Sequence, residues 1–297
     1  MENLKLNNDK ESIVLSKNIS IYGEKIHYLE SGSGDPIVFL HGMPTSSYLW
    51  RKIIPEISSI GRCIAPDMIG MGESDKPDIA YTIDDHILYM HKFISELSLK
   101  NITIVMHAWG SIVGFEYARL HPENVKGLVF YESHLKTNFS ESELSLPVAE
   151  FISMIKQERD VYKKVIDENF LLTNFLKAGM LNSLNNEDYE VYCRPYITKK
   201  SRKVLLQYVN ELPFGNKANR VSDIVDVYSK FLLQSKIPKL LLYTVPGFTT
   251  SIKTISWARE NLSNITVADF GDGLHFAQET NACEFYLKFN AWYKGLK

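Results

Sequence analysis

The sequence lacks the features that mark secreted, nucleic-acid-binding or membrane-spanning proteins. Only three cysteines occur in 297 residues, at wide spacings, which argues against a disulfide framework or a zinc ribbon and favours a reducing compartment. Lysine and arginine number 33 against 35 for aspartate and glutamate, so the net charge of −2 shows no basic excess for nucleic acid. No apolar run reaches membrane-spanning length, and no signal-peptide core follows Met1. We therefore expect a cytoplasmic protein that binds neither nucleic acid nor membranes.

Motifs for nucleotides and metals are also absent. The pair Gly70-x-Gly72 continues to Asp75 rather than to a third glycine, so no dinucleotide fingerprint is present. Neither a phosphate-binding loop nor a His-Glu-x-x-His motif occurs. His86 and His91 lie five residues apart, off the helical spacing of metal ligands, and we expect them on a solvated helix face. The sequence therefore predicts no cofactor and no metal.

What the sequence does contain is an alternation of apolar strands and amphipathic helices. Three short strands before residue 31 have the pattern of an antiparallel ribbon: 13–15, 19–22 and 26–30. Later apolar runs are typical of parallel strands buried on both faces: 37–40, 62–65, 102–106, 127–131, 237–243 and 265–268. Because helical patterns separate most of these runs, we predict an α/β fold with helices on both faces of a mostly parallel sheet.

The alternation stops for about a hundred residues late in the chain. Between about 138 and 235 the pattern is helical and rich in Phe, Tyr and Leu. An insert that returns to the same sheet is expected to cover the carboxyl edge of the strands, where ligands bind in such folds. The predicted organisation is a core of residues 1–137 and 236–297, with a helical cap of residues 138–235.

The turn after the strand 102–106 is the most informative local feature. It reads His107-Ala108-Trp109-Gly110 and leads at once into a helix. Such a strand–turn–helix unit holds the nucleophile in α/β-hydrolases. The usual Gly-x-Ser-x-Gly is absent from the chain. The geometry would place residue 108 at the tip, and its alanine side chain has no nucleophilic atom.

Five segments, in order along nearly the whole chain, carry the most specific signal. They are HGMPTSSYLWR at 41–51, IAPDMIGMGESDKP at 64–77, WGS at 109–111, HPENVKG at 121–127 and HFAQE at 275–279. Together they resemble the haloalkane dehalogenases, in the subgroup that also contains the Renilla-type luciferases. The resemblance implies an α/β-hydrolase fold with an eight-stranded sheet and a helical cap between late strands. It also implies hydrolysis of a small apolar haloalkane to an alcohol and a halide ion, without cofactor or metal.

The resemblance further implies which residues form the site. Ala108 stands at the position of the family's nucleophilic aspartate, Glu132 at that of its catalytic acid and His275 at that of its catalytic base. Trp109 matches the halide-binding tryptophan. Met43 stands where the family usually has an asparagine as second halide ligand. The backbone N–H groups of Met43 and Trp109 would form the oxyanion hole.

The alanine at position 108 leaves several interpretations open. It is an engineered removal of the nucleophile, the mark of a natural pseudoenzyme that binds without turnover, or a sign of chemistry without a covalent intermediate. In each case we expect the chain as written to be nearly inactive as a dehalogenase. A non-catalytic binding protein and a luciferase-like monooxygenase are the alternative functions. We call the turn at residues 107–110 the elbow. An esterase is least expected, because no serine occupies the elbow. We expect a monomer or a small homo-oligomer.

Overall fold

The computed structural model describes residues 13–136, 146–156, 161–212 and 219–296. Its centre is one eight-stranded sheet. Its strands are β1 (Leu15–Ile21), β2 (Glu24–Ser31), β3 (Pro36–Leu40), β4 (Arg62–Pro66), β5 (Ile102–His107), β6 (Val125–Tyr131), β7 (Lys239–Pro246) and β8 (Ile265–Gly273). They lie in the order β1-β2-β4-β3-β5-β6-β7-β8. Strand β2 is antiparallel to both of its neighbours, and every other pairing is parallel. The predicted eight-stranded, mostly parallel sheet is confirmed.

Helices flank this sheet and fill the interval between β6 and β7. Within the described residues the α-helices are α1 (Ile54–Ile57), α2 (Ile83–Glu96), α3 (Trp109–Leu120), α4 (Leu146–Lys156), α5 (Leu176–Ala178), α6 (Asn186–Cys193), α7 (Lys203–Glu211), α8 (Arg220–Gln234), α9 (Ile252–Asn261) and α10 (Ala282–Tyr293). We use the word cap for α4 to α8 and the segments that join them. The predicted cap boundary near residue 137 lies outside the described residues and stays a prediction.

Burial explains why the central strands read as continuous apolar runs. All residues of β5 are buried, and β3 and β6 are buried at all but one position each. The antiparallel edge differs from the prediction, because Leu15 and residues 19–21, which are predicted to lie in two strands, belong to one strand, β1. Strand β1 pairs with β2 without interruption from Leu15 opposite Glu30 to Ile21 opposite Glu24. Continuous pairing therefore overrides the polar residues that suggested a break.

A cluster of charged and phenolic side chains joins the cap to the core near the segment that follows β3. We call Arg51, Glu279, Asp188, Tyr48 and Tyr192 the Arg51 cluster. The Arg51 guanidinium contacts Glu279 through two nitrogens, at 2.6 and 2.8 Å, and Asp188 of α6 at 2.8 Å. Tyr48 donates to Asp188 at 2.6 Å, and Tyr192 of α6 donates to Glu279. The cap is thus attached to the core by contacts that are largely buried.

Exposed ion pairs join the cap to helix α2 and to the loop before it, on another side. Arg220 of α8 contacts Asp84 at 2.8 Å, and Lys203 of α7 contacts Asp78 at 2.7 Å. The N-terminus of α2 is capped by Thr82, whose side chain accepts from the backbone of Asp85. Within the residues that the structure describes, no helix is long and apolar enough to cross a membrane.

Candidate active site

The turn between β5 and α3 holds residue 108 in a strained conformation. Ala108 has φ 46° and ψ −119°, a region that residues other than glycine rarely adopt. The turn also packs closely against the end of β3. A Cβ at Gly110 would lie 2.6 Å from the carbonyl oxygens of Leu40 and His41, and a Cβ at Gly42 would lie 2.6 Å from the Cβ of Ala108. Glycine at both positions therefore permits the elbow to form.

Glu132 and His275 form a buried hydrogen-bonded pair. His275 Nδ1 lies 3.0 Å from Glu132 Oε2, and the two residues are 3% and 2% exposed. Glu132 directly follows β6 and has φ 49°, while His275 lies just after β8. Burial acts to raise the pKa of the Glu132 carboxyl, but hydrogen bonds from His275 and Thr249 outweigh it and hold the pKa below its usual value. The pair is thus a carboxylate that orients an imidazole.

The loop after β7 provides four further donors to the Glu132 carboxylate. Oε1 accepts from the backbone N–H groups of Phe248 and Thr250, each at 3.1 Å. Oε2 accepts from the backbone N–H and the hydroxyl of Thr249, each at 2.5 Å. Sequence reasoning missed this loop, because every non-proline residue carries a backbone N–H and no residue pattern marks which ones converge. The loop keeps Glu132 charged although it is buried.

The loop that carries His275 is held from both the core and the cap. His107 Nε2 donates to the carbonyl of His275 at 2.8 Å, because a carbonyl oxygen can only accept. Burial and the nearby His275 ring hold the pKa of His107 well below its usual value, so this ring is neutral. The backbone N–H of Phe276 donates to the carbonyl of Gly179 in the cap at 3.0 Å. Both contacts fix where the His275 imidazole lies.

Trp109 lies fully buried at the start of α3, and its ring contacts two side chains edge-on. Tyr208 of α7 lies 5.0 Å away between ring centroids, and His86 of α2 lies 6.5 Å away. The prediction that His86 faces solvent is wrong. His86 is 1% exposed, and burial lowers its pKa to about 4. Helical periodicity could have found this, because His86 lies one turn before Tyr89 and Met90 on the buried face of α2.

Two buried side-chain nitrogens of the site have no hydrogen-bond partner among the described residues: the indole Nε1 of Trp109 and the Nε2 of His275. Met43 itself is 1% exposed and directly follows Gly42. Buried polar groups are nearly always hydrogen-bonded in native proteins. The Trp109 indole therefore supplies one donor, and His275 Nε2 one acceptor, for a small bound molecule.

Aromatic rings surround the imidazole of His275. Phe175 and Phe248 lie 5.6 and 5.3 Å from it between ring centroids, and Phe151 lies 4.8 Å from Phe175. Sequence reasoning predicted a helical insert rich in Phe, Tyr and Leu but did not assign Phe151 or Phe175 to the site. It missed His134, which is buried within electrostatic reach of His275 and has its pKa lowered to about 4 by burial. The surroundings of the Glu132–His275 pair, which we call the dyad, are therefore largely apolar.

No group of three or more potential metal ligands occurs within the described ranges. The imidazole of His275, oriented by a charged Glu132, can accept a proton at Nε2. The indole N–H of Trp109 can donate a hydrogen bond to an anion.

The fold and this arrangement define an α/β hydrolase, and comparison with known proteins agrees. The family described as alpha/beta hydrolase fold matches residues 35–282. A haloalkane dehalogenase of Agrobacterium fabrum is 34% identical over 274 residues, which cover 92% of this chain and 90% of the relative. One from Sphingobium indicum is 33% identical, with 95% and 96% covered. The chain belongs to the haloalkane dehalogenase family.

Solved structures give the same assignment. The crystal structure of the haloalkane dehalogenase DatA from Agrobacterium tumefaciens has a TM-score of 0.90 at 33% identity, and covers 96% of this chain and 97% of that one. That of DbeA from Bradyrhizobium elkani has a TM-score of 0.91 at 29% identity, with 96% and 99% covered. The fold is therefore shared along nearly the full length of these proteins.

Proposed function

We propose that the protein carries a haloalkane dehalogenase site whose covalent step is blocked at Ala108. In this proposal Trp109 Nε1 donates to the halogen of a small apolar substrate, His275 is the base and Glu132 is its acidic partner. The N–H groups of Met43 and Trp109 form the oxyanion hole. The single observation that carries the proposal is the buried Glu132–His275 pair, 3.0 Å apart, in a chain of this family.

The division of the reaction into two steps explains why residue 108 matters. A carboxylate at the elbow would attack the carbon that bears the halogen and form an alkyl ester while the halide leaves. His275 would then take a proton from water, which attacks the ester carbonyl and releases the alcohol. The methyl group of Ala108 cannot perform the first step. We therefore propose that the chain binds halogenated substrate but releases almost no halide.

Restoring the carboxylate tests this proposal. We expect Ala108→Asp to release bromide from a terminal bromoalkane, measured by ion chromatography, while the parent releases almost none. Ala108→Asn is the matched control, because it has the same shape without a carboxylate and should stay inactive. Adding Met43→Asn to Ala108→Asp tests whether a second halide donor is needed. No bromide from either aspartate variant, across a range of chain lengths, would contradict the dehalogenase function.

Two alternative functions use the same scaffold, and each predicts a different experimental result. The absence of a nucleophile at Ala108 favours a non-catalytic binding protein, which would bind apolar ligands saturably and stay silent after restoration. The sequence resemblance extends to the Renilla-type luciferases, for which light emission with coelenterazine and no halide release would decide.

A further inference from the structure

The chain lacks the group that the first of the two reaction steps needs, but it has the groups that the second step needs. The first step needs a carboxylate at position 108, where the chain has alanine. The second step is the hydrolysis of an ester, which needs an oriented imidazole to activate water and donors for the developing oxyanion. His275, Glu132 and the N–H groups of Met43 and Trp109 have these properties. The chain thus has the groups that hydrolyse an ester and lacks only the group that would form one.

We propose that the protein hydrolyses free carboxylic esters that have a small acyl group and an apolar alcohol, by direct attack of a water molecule activated by His275. The inference rests on the roles proposed above for His275, Glu132 and the oxyanion N–H groups, but it requires no carbon–halide bond. The missing serine argues against an esterase that forms a covalent acyl-enzyme. Direct attack by water needs neither serine nor aspartate at the elbow.

The hydrogen bonding of His275 defines which of its nitrogens acts. A carboxylate can only accept, so the Nδ1 that faces Glu132 carries the ring proton. Nε2 then keeps its lone pair, is buried, and has no partner among the described residues. The four donors from residues 248–250 keep Glu132 charged, which stabilises the imidazolium when Nε2 takes a proton. The pair is therefore arranged as a general base.

Ala108 sets the size of the acyl group. Aspartate exceeds alanine by one carboxyl group, and in the proposed complex the ester carbonyl lies near the space of that group, at van der Waals distance from the Ala108 methyl group. The elbow is closely packed towards β3, because a Cβ at Gly42 would lie 2.6 Å from the Cβ of Ala108. A formyl group fits this description and an acetyl group adds one methyl. We expect larger acyl groups to fit less well against this packed elbow.

The alcohol part of the ester would lie against the aromatic rings near His275. Phe175 and Phe248 contact the imidazole, and Phe151 extends this surface into the cap. Transfer of an alkyl chain from water to such a surface is favourable, at about 0.8 kcal/mol for each buried CH₂ group. The substrates inferred are therefore formate and acetate esters of apolar alcohols.

The proposed step is balanced without any further reactant. The water oxygen bonds to the ester carbonyl carbon while its proton moves to His275 Nε2. The electron pair of the carbonyl moves to its oxygen, which accepts from the N–H groups of Met43 and Trp109. Collapse of this intermediate breaks the bond to the alcohol oxygen, which takes the proton from His275. The products are one carboxylic acid and one alcohol.

The test uses the full chain with hexyl formate, hexyl acetate and hexyl butyrate, and measures hexanol by gas chromatography. We expect hydrolysis of the formate and acetate above the buffer rate, and much slower hydrolysis of the butyrate. The rate should fall about 100-fold or more in His275→Gln, which removes the general base. Glu132→Gln serves as a second variant should His275→Gln fail to fold. His121→Gln is the matched control, because its imidazole is exposed and outside the site, and it should keep the parent rate.

Each contrary result has a definite meaning. Equal rates in the parent and both site variants would overturn the proposal, as would butyrate cleaved as fast as formate. An acylated protein trapped by acid quench and seen by mass spectrometry would overturn direct attack by water. Bromide release by Ala108→Asp, without ester hydrolysis by the parent, contradicts this inference and leaves the dehalogenase proposal standing. The reverse pattern supports the inference and contradicts the dehalogenase proposal.

Discussion

Two residues of the site have a positive φ and directly follow a parallel strand. Ala108 follows β5 with φ 46°, and Glu132 follows β6 with φ 49°. Such conformations cost about 1–3 kcal/mol each and persist where the surrounding structure imposes them. At Glu132 the strain accompanies a carboxylate held by five donors. At Ala108 the same type of strain accompanies a methyl group, so the elbow geometry is present without a nucleophile.

The strain at residue 108 predicts that substitution of Ala108 by glycine does not lower the stability of the protein. Ala108→Gly loses a buried methyl group, worth about 0.8 kcal/mol, but relieves backbone strain of about 1–3 kcal/mol. We expect its free energy of unfolding, measured in urea, to equal or exceed that of the parent. Ala118→Gly, a buried residue in the last turn of α3, is the control and should lose about 1–2 kcal/mol through lost burial and helix propensity. Equal losses in the two variants would contradict the strain at Ala108.

At the scale of elements, the site depends on how the cap is attached to the core. Tyr208 of α7 contacts Trp109, and Gly179 of the cap accepts from the backbone beside His275. The Arg51 cluster joins α6 to the same region, with Glu279 only four residues after His275. A shift of the cap would therefore move groups that surround the dyad.

The Arg51 cluster should contribute strongly to stability. In Arg51→Leu the Glu279 side chain, 2% exposed, loses its bidentate partner. Breaking a buried pair from one side costs about 3–5 kcal/mol, and we expect the lower end because Lys52 and Tyr192 still contact Glu279. Urea unfolding measures this loss. Lys164→Ala is the control, since its pair with Glu168 is exposed and should contribute less than about 1 kcal/mol. Similar losses in both variants would show that the cluster is not a strong attachment.

At the scale of the whole molecule, buried imidazoles link stability to pH. Burial lowers the pKa of His86 to about 4, against an opposing effect of Asp85, and burial lowers that of His134 to about 4. Both rings are neutral in the folded state at pH values where the unfolded chain, with an ordinary pKa near 6.5, binds protons. The unfolded state therefore gains protons first as pH falls. Stability should be full above about pH 6.5 and decrease between about 6.5 and 4.

Urea unfolding at pH 7.5 and 5 measures this dependence. We expect the free energy of unfolding to fall, with a limiting contribution of about 3 kcal/mol from His86 over the full range. His86→Phe should weaken the dependence, whereas His121→Gln, whose side chain is 44% exposed, should leave it close to that of the parent. An unchanged dependence in His86→Phe would show that His86 is not the source.

The sequence by itself determined the fold class, the family and the identity of the residue at the elbow. Apolar runs of strand length alternating with helical patterns are local properties of the chain, so they predicted the parallel sheet and the position of the helical insert. The segments from 41–51 to 275–279 carried the resemblance that the comparisons confirmed for the family. The cytoplasmic location and the oligomeric state stay predictions from the sequence.

Only the tertiary structure decided which groups meet. Glu132 and His275 are 143 residues apart, and their contact exists because β6, β7 and β8 are neighbours whose carboxyl ends share one edge. The donors around Glu132 are mostly backbone N–H groups, which no sequence pattern distinguishes. The burial of His86 depends on the packing of α2 against Trp109. The sequence therefore named the residue at position 108, whereas the structure showed what surrounds the Glu132–His275 pair.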